Sequence, residues 1–366
     1  MPEFSATDCV HMAHALRLAE RGLYSAHPNP MVGCVIVRDG EVVGEGWHKV
    51  AGEAHAEINA LNVAGDKASG AIVYVTLEPC SHHGKTPPCC EALIRAGVSE
   101  VVVGLRDPNP DVNGAGIEAL AAAGIATRVG LMRHEIEKLI RGFLSRLTRH
   151  LPLVRLKMAS SLDGCIAMSN GESQWITGVE ARADVQRLRA RSGAIMTGIG
   201  TVLADDPSLT VRDASLQAAG KQPLRAVLDS DLRMPLSAEM LALPGKTVIY
   251  CAEDSRKSAL LDAGAEVIKI GRGNGRLDTT AVLRDLAGRG VNEVLVEAGP
   301  ALAGSLIADD RVDELVIYQS PHIMGSETMG MFRTPAWTRL ADRKALDIIE
   351  MRRVGSDTRI TARLAG

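Results

Sequence analysis

The stretch AIVYVTLEPCSHHGKTPPCCEALIRAGVSEVVVGL, residues 71–105, decides the fold of the first part of the chain. It begins with an apolar strand over 71–76, continues through a polar segment to a helix over 89–96, and ends with an apolar strand over 101–105. A strand, a helix and a strand in succession predict an α/β layer in which helices cover a sheet. The same stretch holds three cysteines, Cys80, Cys89 and Cys90.

The alternation of strands and helices extends to both sides of this stretch. Upstream, two strands over 32–38 and 41–47 flank Asp39-Gly40, a dipeptide suited to a type I′ hairpin turn. A helix follows this hairpin before the strand over 71–76 begins. Downstream, the alternation continues up to a charged helix over 135–149. The first part is therefore predicted as a sheet covered by helices.

A change of pattern after the charged helix marks a domain boundary. His150-Leu151-Pro152 interrupts the helix, and a new apolar strand follows over 153–158. The chain has 366 residues, more than twice the roughly 150 that serve as a prior for one domain. We therefore predict two α/β domains, 1–148 and 149–366. The second again alternates strands with helices, among them a helix over 179–191.

The composition is that of a folded protein and excludes several classes of function. Hydrophobic residues make up 46% and charged residues 23% of the chain, which is ordinary for a globular protein. A formal net charge of -3 offers no overall field for a polyanion, so nucleic acid is not expected as the main partner. No stretch approaches the roughly 18 apolar residues that span a bilayer, so no membrane partner is expected.

Cysteine usage and the N-terminus indicate the compartment. The seven cysteines are an odd number spread over a long chain, so thiols or metal ligands are expected in place of disulfides. Residues 1–22 carry histidines and charged residues among their apolar ones, which is typical of an amphipathic helix and not of a signal peptide. These features predict a cytoplasmic protein.

The first domain holds a set of candidate metal ligands. His55-Ala56-Glu57 is followed after one strand by Cys80 and then by Cys89. One imidazole and two thiolates are three of the four ligands of a tetrahedral Zn²⁺, which leaves one position for water. Zinc can lower the pKa of a bound water from about 15.7 to about 7. We predict a catalytic zinc held by His55, Cys80 and Cys89, with Glu57 as the general acid and base.

Other ligand sets remain open. Eight residues, 81–88, separate the two cysteines, a wider spacing than the Pro-Cys-x-x-Cys of nucleobase deaminases. Cys89 and Cys90 both qualify as the third ligand, and Cys89 is preferred because a helix N-terminus stabilises a thiolate. His82 and His83 are rival ligands. A fourth protein ligand would make the site a closed zinc site in a non-enzymatic binding protein.

These motifs resemble those of a known family, the bifunctional deaminase-reductases of riboflavin biosynthesis. The resemblance covers essentially the whole chain, and the wide cysteine spacing is itself typical of the family. In the first half it rests on His27-Pro28-Asn29-Pro30, Val32-Gly33-Cys34-Val35, Ala54-His55-Ala56-Glu57, residues 76–89 and Asp107-Pro108-Asn109-Pro110. In the second half it rests on Leu162-Asp163-Gly164, residues 171–177, Ala204-Asp205-Asp206-Pro207 and Val296-Glu297-Ala298-Gly299-Pro300.

The resemblance implies a cytidine-deaminase-like, three-layer α/β domain in the first half. Its substrate would be 2,5-diamino-6-(5-phosphoribosylamino)pyrimidin-4-one, a small phosphoribosylated pyrimidine from which hydrolysis releases ammonia. Lys85, a compact cation in the segment beside the metal, suits the substrate phosphate. Asn29, His48 and His82 are further candidate partners of the substrate.

The second domain lacks the ordinary dinucleotide fingerprint. Gly198-Ile199-Gly200 follows a strand, but Leu203 stands where the third glycine or alanine belongs. The turn over 299–305, between a strand and a helix, is instead predicted to bind a pyrophosphate with free backbone N–H groups. The resemblance implies a dihydrofolate-reductase-like α/β domain that binds NADPH and reduces the ribosyl group of the deaminated product to ribityl.

Two sets of residues surround the reductase site by the resemblance. The cofactor set is Ala159, Trp175, Thr201, Asp205, Ser230, Gly299, Pro300, Ala301, Leu302, Ala303, Gly304 and Ser305. The substrate set is Ser173, Arg189, Leu209, Arg212 and Glu297. Arg189 and Arg212 are interpreted as a clamp on the substrate phosphate, since guanidinium groups match phosphate oxygens. Lys157 and Asp205 are the candidates for supplying the proton that the sugar ring oxygen needs.

A second enzymatic interpretation is a zinc deaminase that edits nucleic acid, with the second half as a positioning module. The net negative charge, the three phenylalanines and the lack of a basic stripe speak against it. A homodimer is expected, because the second sheet has an apolar edge.

Overall fold

The structure, a computed structural model, describes residues 3–81, 87–109, 112–216, 220–253, 255–273 and 275–365. The chain forms two compact units, Met1–Arg149 and His150–Gly366, so it divides one residue beyond the predicted boundary. No helix of the described residues is long and apolar enough to cross a membrane.

The first unit is a five-stranded sheet covered by helices. Its strand order is β2-β1-β3-β4-β5, with β1 antiparallel to both neighbours and β3, β4 and β5 parallel. The elements in chain order are α1 (Ala6–Glu20), β1 (Gly33–Arg38), β2 (Glu41–Trp47), α2 (Ala56–Ala64), β3 (Ile72–Leu77), α3 (Cys89–Ala96), β4 (Glu100–Leu105), α4 (Ala115–Ala122), β5 (Ala126–Val129), α5 (Arg133–Leu139) and α6 (Arg141–Arg149).

The predicted hairpin is confirmed. Strands β1 and β2 pair in antiparallel register up to Arg38 opposite Glu41. Asp39 and Gly40 have φ of 52° and 82°, and two central residues with positive φ are what a type I′ turn requires. By contrast, the prediction of a single charged helix over 135–149 is wrong. The chain leaves helical geometry at Ile140 and continues as a second helix, α6.

Two glycines of β2 let α2 approach the sheet closely. A Cβ on Gly46 would lie 2.3 Å from the carbonyl oxygen of Ala56, and one on Gly44 would lie 2.4 Å from that of Ala60. Any side chain at these positions would push α2 away from the sheet. His55 precedes the helix and Glu57 lies in its first turn. These two glycines therefore determine how close to the sheet both residues lie.

The second unit is built on a nine-stranded sheet of order β11-β10-β9-β8-β14-β6-β15-β18-β17. The strands from β11 to β15 in this order run parallel, and β17 and β18 form an antiparallel closing hairpin. The strands are β6 (Leu153–Ser160), β7 (Cys165–Ala167), β8 (Ala194–Gly198), β9 (Leu224–Leu228), β10 (Thr247–Cys251), β11 (Glu266–Lys269), β12 (Arg272–Gly273), β13 (Arg276–Leu277), β14 (Glu293–Glu297), β15 (Glu314–Gln319), β16 (Met329–Gly330), β17 (Leu346–Val354) and β18 (Asp357–Leu364).

Six helices accompany this sheet in the described part of the second unit: α7 (Val179–Arg191), α8 (Ile199–Asp205), α9 (Glu239–Ala242), α10 (Lys257–Asp262), α11 (Thr279–Gly288) and α12 (Pro300–Ala308). Short strands β7 and β16 pair with each other outside the main sheet, as do β12 and β13. The carboxyl ends of parallel strands meet at one edge, where α/β proteins place their ligands. Residues that follow β8, β9 and β14 therefore lie at the same edge.

Candidate metal centre and cofactor site

Three side chains of the first unit form a group that can hold a metal ion. The Nδ1 atom of His55 and the Sγ atoms of Cys80 and Cys89 lie within 4.8 Å of one another. His55 Nδ1 is 3.5 Å from Cys80 Sγ and 3.3 Å from Cys89 Sγ. This donor set of one imidazole and two thiols suits zinc, and three protein ligands leave a position open for water.

The surroundings of Cys80 favour a thiolate. Its pKa falls to about 4, first because of the hydrogen bond with the Cys89 thiol and then because of contacts with His55 and the Cys89 backbone N–H. The same hydrogen bond, and then burial, in turn raise the pKa of Cys89. The pair thus consists of a thiolate at Cys80 and a protonated thiol at Cys89. A divalent cation would bind both sulfur atoms, because metal binding displaces the proton of the second thiol.

Glu57 lies beside these ligands without being part of the group. Its side chain is buried, and this burial raises the pKa of the carboxyl group to about 7, while the nearby His55 acts in the opposite direction. A carboxyl group that exchanges its proton near neutral pH is suited to general acid and base catalysis. The structure therefore places the predicted catalytic residue next to the predicted ligands.

Cys90 and Cys89 have different surroundings. Cys90 belongs to the hydrophobic core under α2 and α3, and its backbone N–H donates to the carbonyl oxygen of Cys80. Within the described residues the metal-binding group is His55, Cys80 and Cys89. The rival ligands His82 and His83, and the candidate substrate residues His82 and Lys85, lie outside the described residues.

Asn29 and His48 lie together at the metal centre. The Nδ2 atom of Asn29 is 3.0 Å from His48 Nε2, and His48 Nδ1 is 3.3 Å from the carbonyl oxygen of Ala54. The ring of His48 meets that of His55 edge-on, with centroids 5.3 Å apart. Burial lowers the pKa of His48, which favours the neutral ring, and this ring holds the side chain of Asn29 through Nε2.

In the second unit, Arg189 does not lie on a solvated helix face. It is buried at the end of α7, where its Nε and one terminal nitrogen donate to the two carboxylate oxygens of Glu297 at 2.7 and 3.0 Å. The other terminal nitrogen donates to the carbonyl oxygen of Thr210 at 3.0 Å. The guanidinium fork is thus engaged by Glu297, and the contact of Arg189 with the substrate phosphate stays a prediction. In this structure it orients Glu297.

Two further cations face Glu297. Lys157 in β6 is its direct neighbour across the sheet, and burial lowers the pKa of this lysine, an effect that Glu297 opposes. Burial raises the pKa of Glu297, but the charges of Arg189, Lys157 and Arg212 together lower it below its ordinary value, and Arg189 has the largest effect of the three. Arg212 itself donates to the Ser208 hydroxyl at 2.8 Å. Three cations around one carboxylate give this edge of the sheet the positive charge that a phosphate needs.

The predicted phosphate-binding turn lies beside the first turn of another helix, α8. The backbone N–H of Gly299 donates to the hydroxyl of Thr201 at 3.2 Å, which joins the start of α12 to the first turn of α8. The N–H of Ala303 already donates to Gly299, and Pro300 has none. The first-turn N–H groups of Ala301 and Leu302 have no carbonyl partner within their own helix, so their donors remain available at the start of α12.

The last residues of the predicted cofactor stretch are packed against other parts of the protein. Ala303 is fully buried in the core of the sheet, and a Cβ on Gly304 would lie 2.1 Å from the backbone oxygen of Arg333. The side-chain positions of both residues thus face packed protein and not a ligand. Ser305, the next residue of α12, is half-buried.

The remaining predicted residues are spread along the same unit. Ala159 is near the carboxyl end of β6, and Ser230 follows β9 and accepts backbone N–H bonds from Ala252 and Glu253. Trp175 is 68% exposed and stacks with Arg182, so it is not part of the hydrophobic core. Ser173 is half-buried, Asp205 is exposed at the end of α8, and Leu209 is buried with positive φ.

Sequence comparison finds the same two parts. A family model described as cytidine and deoxycytidylate deaminase zinc-binding region matches residues 5–105, and one described as RibD C-terminal domain matches residues 152–359. The riboflavin biosynthesis protein RibD of Escherichia coli (strain K12) is 48% identical over 360 residues, 96% of this chain and 97% of that protein. The RibD of Bacillus amyloliquefaciens is 41% identical over 96% of this chain and 95% of that protein.

Solved structures also match this chain over almost its whole length. Acinetobacter baumannii RibD matches with a TM-score of 0.92 at 41% identity, over 98% of this chain and 99% of that one. A diaminohydroxyphosphoribosylaminopyrimidine deaminase/5-amino-6-(5-phosphoribosylamino)uracil reductase from Thermotoga maritima matches with a TM-score of 0.86 at 32% identity, over 98% and 99%. Each of these two proteins therefore matches both units of this chain in one polypeptide.

Proposed function

Because the chain belongs to the RibD family of bifunctional riboflavin-biosynthesis enzymes, we propose that it hydrolyses 2,5-diamino-6-(5-phosphoribosylamino)pyrimidin-4-one and then reduces the ribosyl group of the product. Residues 1–148 would deaminate, and residues 149–366 would reduce with NADPH. The observation that carries the proposal is the group of His55, Cys80 and Cys89 beside the buried carboxyl of Glu57.

The residues of the first site fit zinc and hydrolysis. His55, Cys80 and Cys89 would hold the ion, which when bound lowers the pKa of a coordinated water to about 7. Glu57 would accept one proton from the attacking water and deliver it to a ring nitrogen, and would then move the second proton of that water to the departing amino group, as its pKa of about 7 permits. Asn29, held by His48, contributes a polar contact to the pyrimidine, and His82 and Lys85 are proposed as further substrate contacts.

The second site fits a phosphorylated substrate and a dinucleotide. NADPH supplies the hydride when bound. The start of α12 and Thr201 would bind its pyrophosphate, and Ala159, Ser230, Asp205 and Trp175 remain proposed cofactor contacts. Arg189 and Arg212 would bind the substrate phosphate, with Ser173 and Leu209 as proposed neighbours. Glu297, fixed by Arg189, would accept a hydrogen bond from a substrate hydroxyl.

An assay that separates the two steps tests this proposal. With the diamino substrate and NADPH, the zinc-loaded protein should release ammonia and oxidise NADPH. After zinc removal with a chelator, ammonia release should fall to background, while NADPH oxidation on supplied deaminated substrate should persist, because the reductase site belongs to the other unit. Ammonia release by the metal-free protein would contradict the proposal, and release from RNA or DNA would favour the nucleic-acid-editing alternative.

We further propose a homodimer that forms along β17. This strand ends the nine-stranded sheet and exposes Leu346, Ile348, Ile349 and Met351. Exposed apolar edge strands pair with other chains. Sedimentation should show a dimer that the double substitution Ile348→Glu and Met351→Glu converts to monomer. Val42→Glu, on the edge strand of the other sheet, is the control and should leave the dimer intact; a monomeric starting protein would contradict the proposal.

A cytoplasmic location is also proposed. All seven cysteines are free in the structure, which suits a reducing compartment.

A further inference from the structure

Cys80 is held differently from the other two ligands of the metal group. His55 is the N-cap of α2 and Cys89 is the first residue of α3, so regular helices packed on the sheet determine where they lie. Cys80 lies beyond the end of β3 in a segment without regular structure. On its C-terminal side, its carbonyl oxygen accepts the N–H of Cys90 at 3.2 Å. Its position therefore depends on what anchors the residues just before it.

That anchor is Glu78, a buried residue that the sequence analysis did not single out. One carboxylate oxygen accepts the backbone N–H groups of Asp107 at 3.2 Å and Gly114 at 3.1 Å. The other accepts those of Gly116 at 3.1 Å and Ile117 at 3.4 Å. Hydrogen bonds to an ionised acceptor are about twice as strong as neutral ones, and here one side chain accepts four.

These bonds tie the ligand segment to the start of α4. The N-cap of α4 is Gly114, with φ of 98° and no side chain to cap the helix. Glu78 accepts the first-turn N–H groups of Gly116 and Ile117 and so replaces the missing cap from another segment. The two segments also touch, because a Cβ on Gly116 would lie 2.0 Å from the carbonyl oxygen of Pro79. Pro79, between Glu78 and Cys80, is thereby held from both sides.

We propose that Glu78 is a positioning residue that fixes Cys80 in the place where it can bind the metal ion, an inference that rests on the zinc site proposed above. Among the described residues, the hydrogen bonds of the Glu78 carboxylate go to residues 107–117 and not to His55, Cys80 or Cys89. It acts by holding the segment 78–80 to α4, so that the Cys80 sulfur stays within reach of His55 and Cys89. Substitution of groups that orient metal ligands typically lowers metal affinity by about 10- to 100-fold.

The test compares Glu78→Gln with Glu118→Gln in the full chain. The glutamine keeps the size of the side chain but has a single acceptor oxygen and an NH₂ group that faces backbone donors. Glu118 lies in the same first turn of α4 and is exposed, so its substitution removes the same charge without touching the ligand segment. Zinc affinity is measured by competition with a chromophoric chelator, and the Co²⁺-loaded proteins are compared by their thiolate-to-cobalt absorption. Reductase turnover on deaminated substrate reports on the rest of the chain.

We expect Glu78→Gln to bind zinc about 10- to 100-fold more weakly and to change the cobalt–thiolate absorption, while Glu118→Gln matches the unsubstituted protein in both. If Glu78→Gln has the affinity and spectrum of the unsubstituted protein, even with a lower Tm, then Glu78 only stabilises the fold and the inference is overturned. If Glu78→Gln does not fold, Gly116→Ala decides, because it moves Pro79 from the other side and should weaken zinc binding as well. An unsubstituted protein that binds no zinc overturns the proposed function itself, a result distinct from unchanged binding in the variants.

Discussion

Substitution of Glu57 by glutamine should lower the deamination rate by about 10²- to 10⁴-fold, the contribution of a positioned general acid and base. Glutamine has nearly the same size as glutamate but neither accepts nor releases a proton. His55, Cys80 and Cys89 remain unchanged, so the protein should retain zinc. The measurement is ammonia release from the diamino substrate, with metal content determined on the same sample.

Two controls make this result specific. NADPH oxidation by Glu57→Gln on supplied deaminated substrate should equal that of the unsubstituted protein, since Glu57 belongs to the first unit. Glu41→Gln, an exposed glutamate on β2, should leave both activities unchanged. Loss of zinc together with activity would assign Glu57 a role in holding the metal group, and full activity without a carboxyl group would remove it from the mechanism.

Elements with strong local signals were predictable from the sequence. The turn at Asp39-Gly40 follows from residue types that tolerate positive φ. The helices over 89–96 and 179–191 have the predicted ends, because Pro88 and Gly178 mark their starts and Gly97 ends the first of them. The spacing of His55, Glu57, Cys80 and Cys89 predicted their convergence for a similar reason, since each ligand segment follows or begins a regular element.

Features set by contacts between distant segments were not predictable. Helical geometry is interrupted at Ile140, a residue type that gives no signal for the end of a helix. The three-residue strand Cys165–Ala167 forms only because it pairs with Met329–Gly330, more than 160 residues later. No periodicity reveals such pairs, because the signal lies in two separate places of the sequence.

The same limit applies within the sites. Arg189 has the sequence context of a solvated helix residue, yet it is buried against Glu297, 108 residues away. Gly304 lies in the predicted phosphate-binding stretch, yet it packs against the backbone of Arg333. Glu78 stands in a motif quoted for its cysteine, and its four backbone partners lie in residues 107–117. A sequence pattern gives residue chemistry, whereas these roles depend on which partner the fold supplies.

Substitution of Lys157 by methionine should lower the reductase rate by about 10²- to 10⁴-fold and leave deamination unchanged. Hydride transfer to the ribosyl carbon leaves the ring oxygen in need of a proton, and two groups were candidates for supplying it. Asp205 is exposed at the end of α8, whereas Lys157 is the cross-strand neighbour of the proposed substrate residue Glu297. Burial lowers the pKa of Lys157, which brings it closer to the pH at which the enzyme works and makes it a better proton donor than an ordinary lysine.

The pH profile of the reductase step distinguishes this role from simple charge stabilisation. A lysine that must be protonated loses its function as pH rises through its pKa, and here that pKa lies below the ordinary value of 10.5. The rate on deaminated substrate should therefore decline on the alkaline side at a lower pH than an unperturbed lysine would give, and Lys157→Met should lose this decline together with most of its rate. Lys221→Met, at an exposed lysine of the same unit, should keep both the rate and the profile. If Lys157→Met lowers only the affinity for substrate and keeps the alkaline decline, then the proton comes from another group and Lys157 serves as a counter-charge to Glu297.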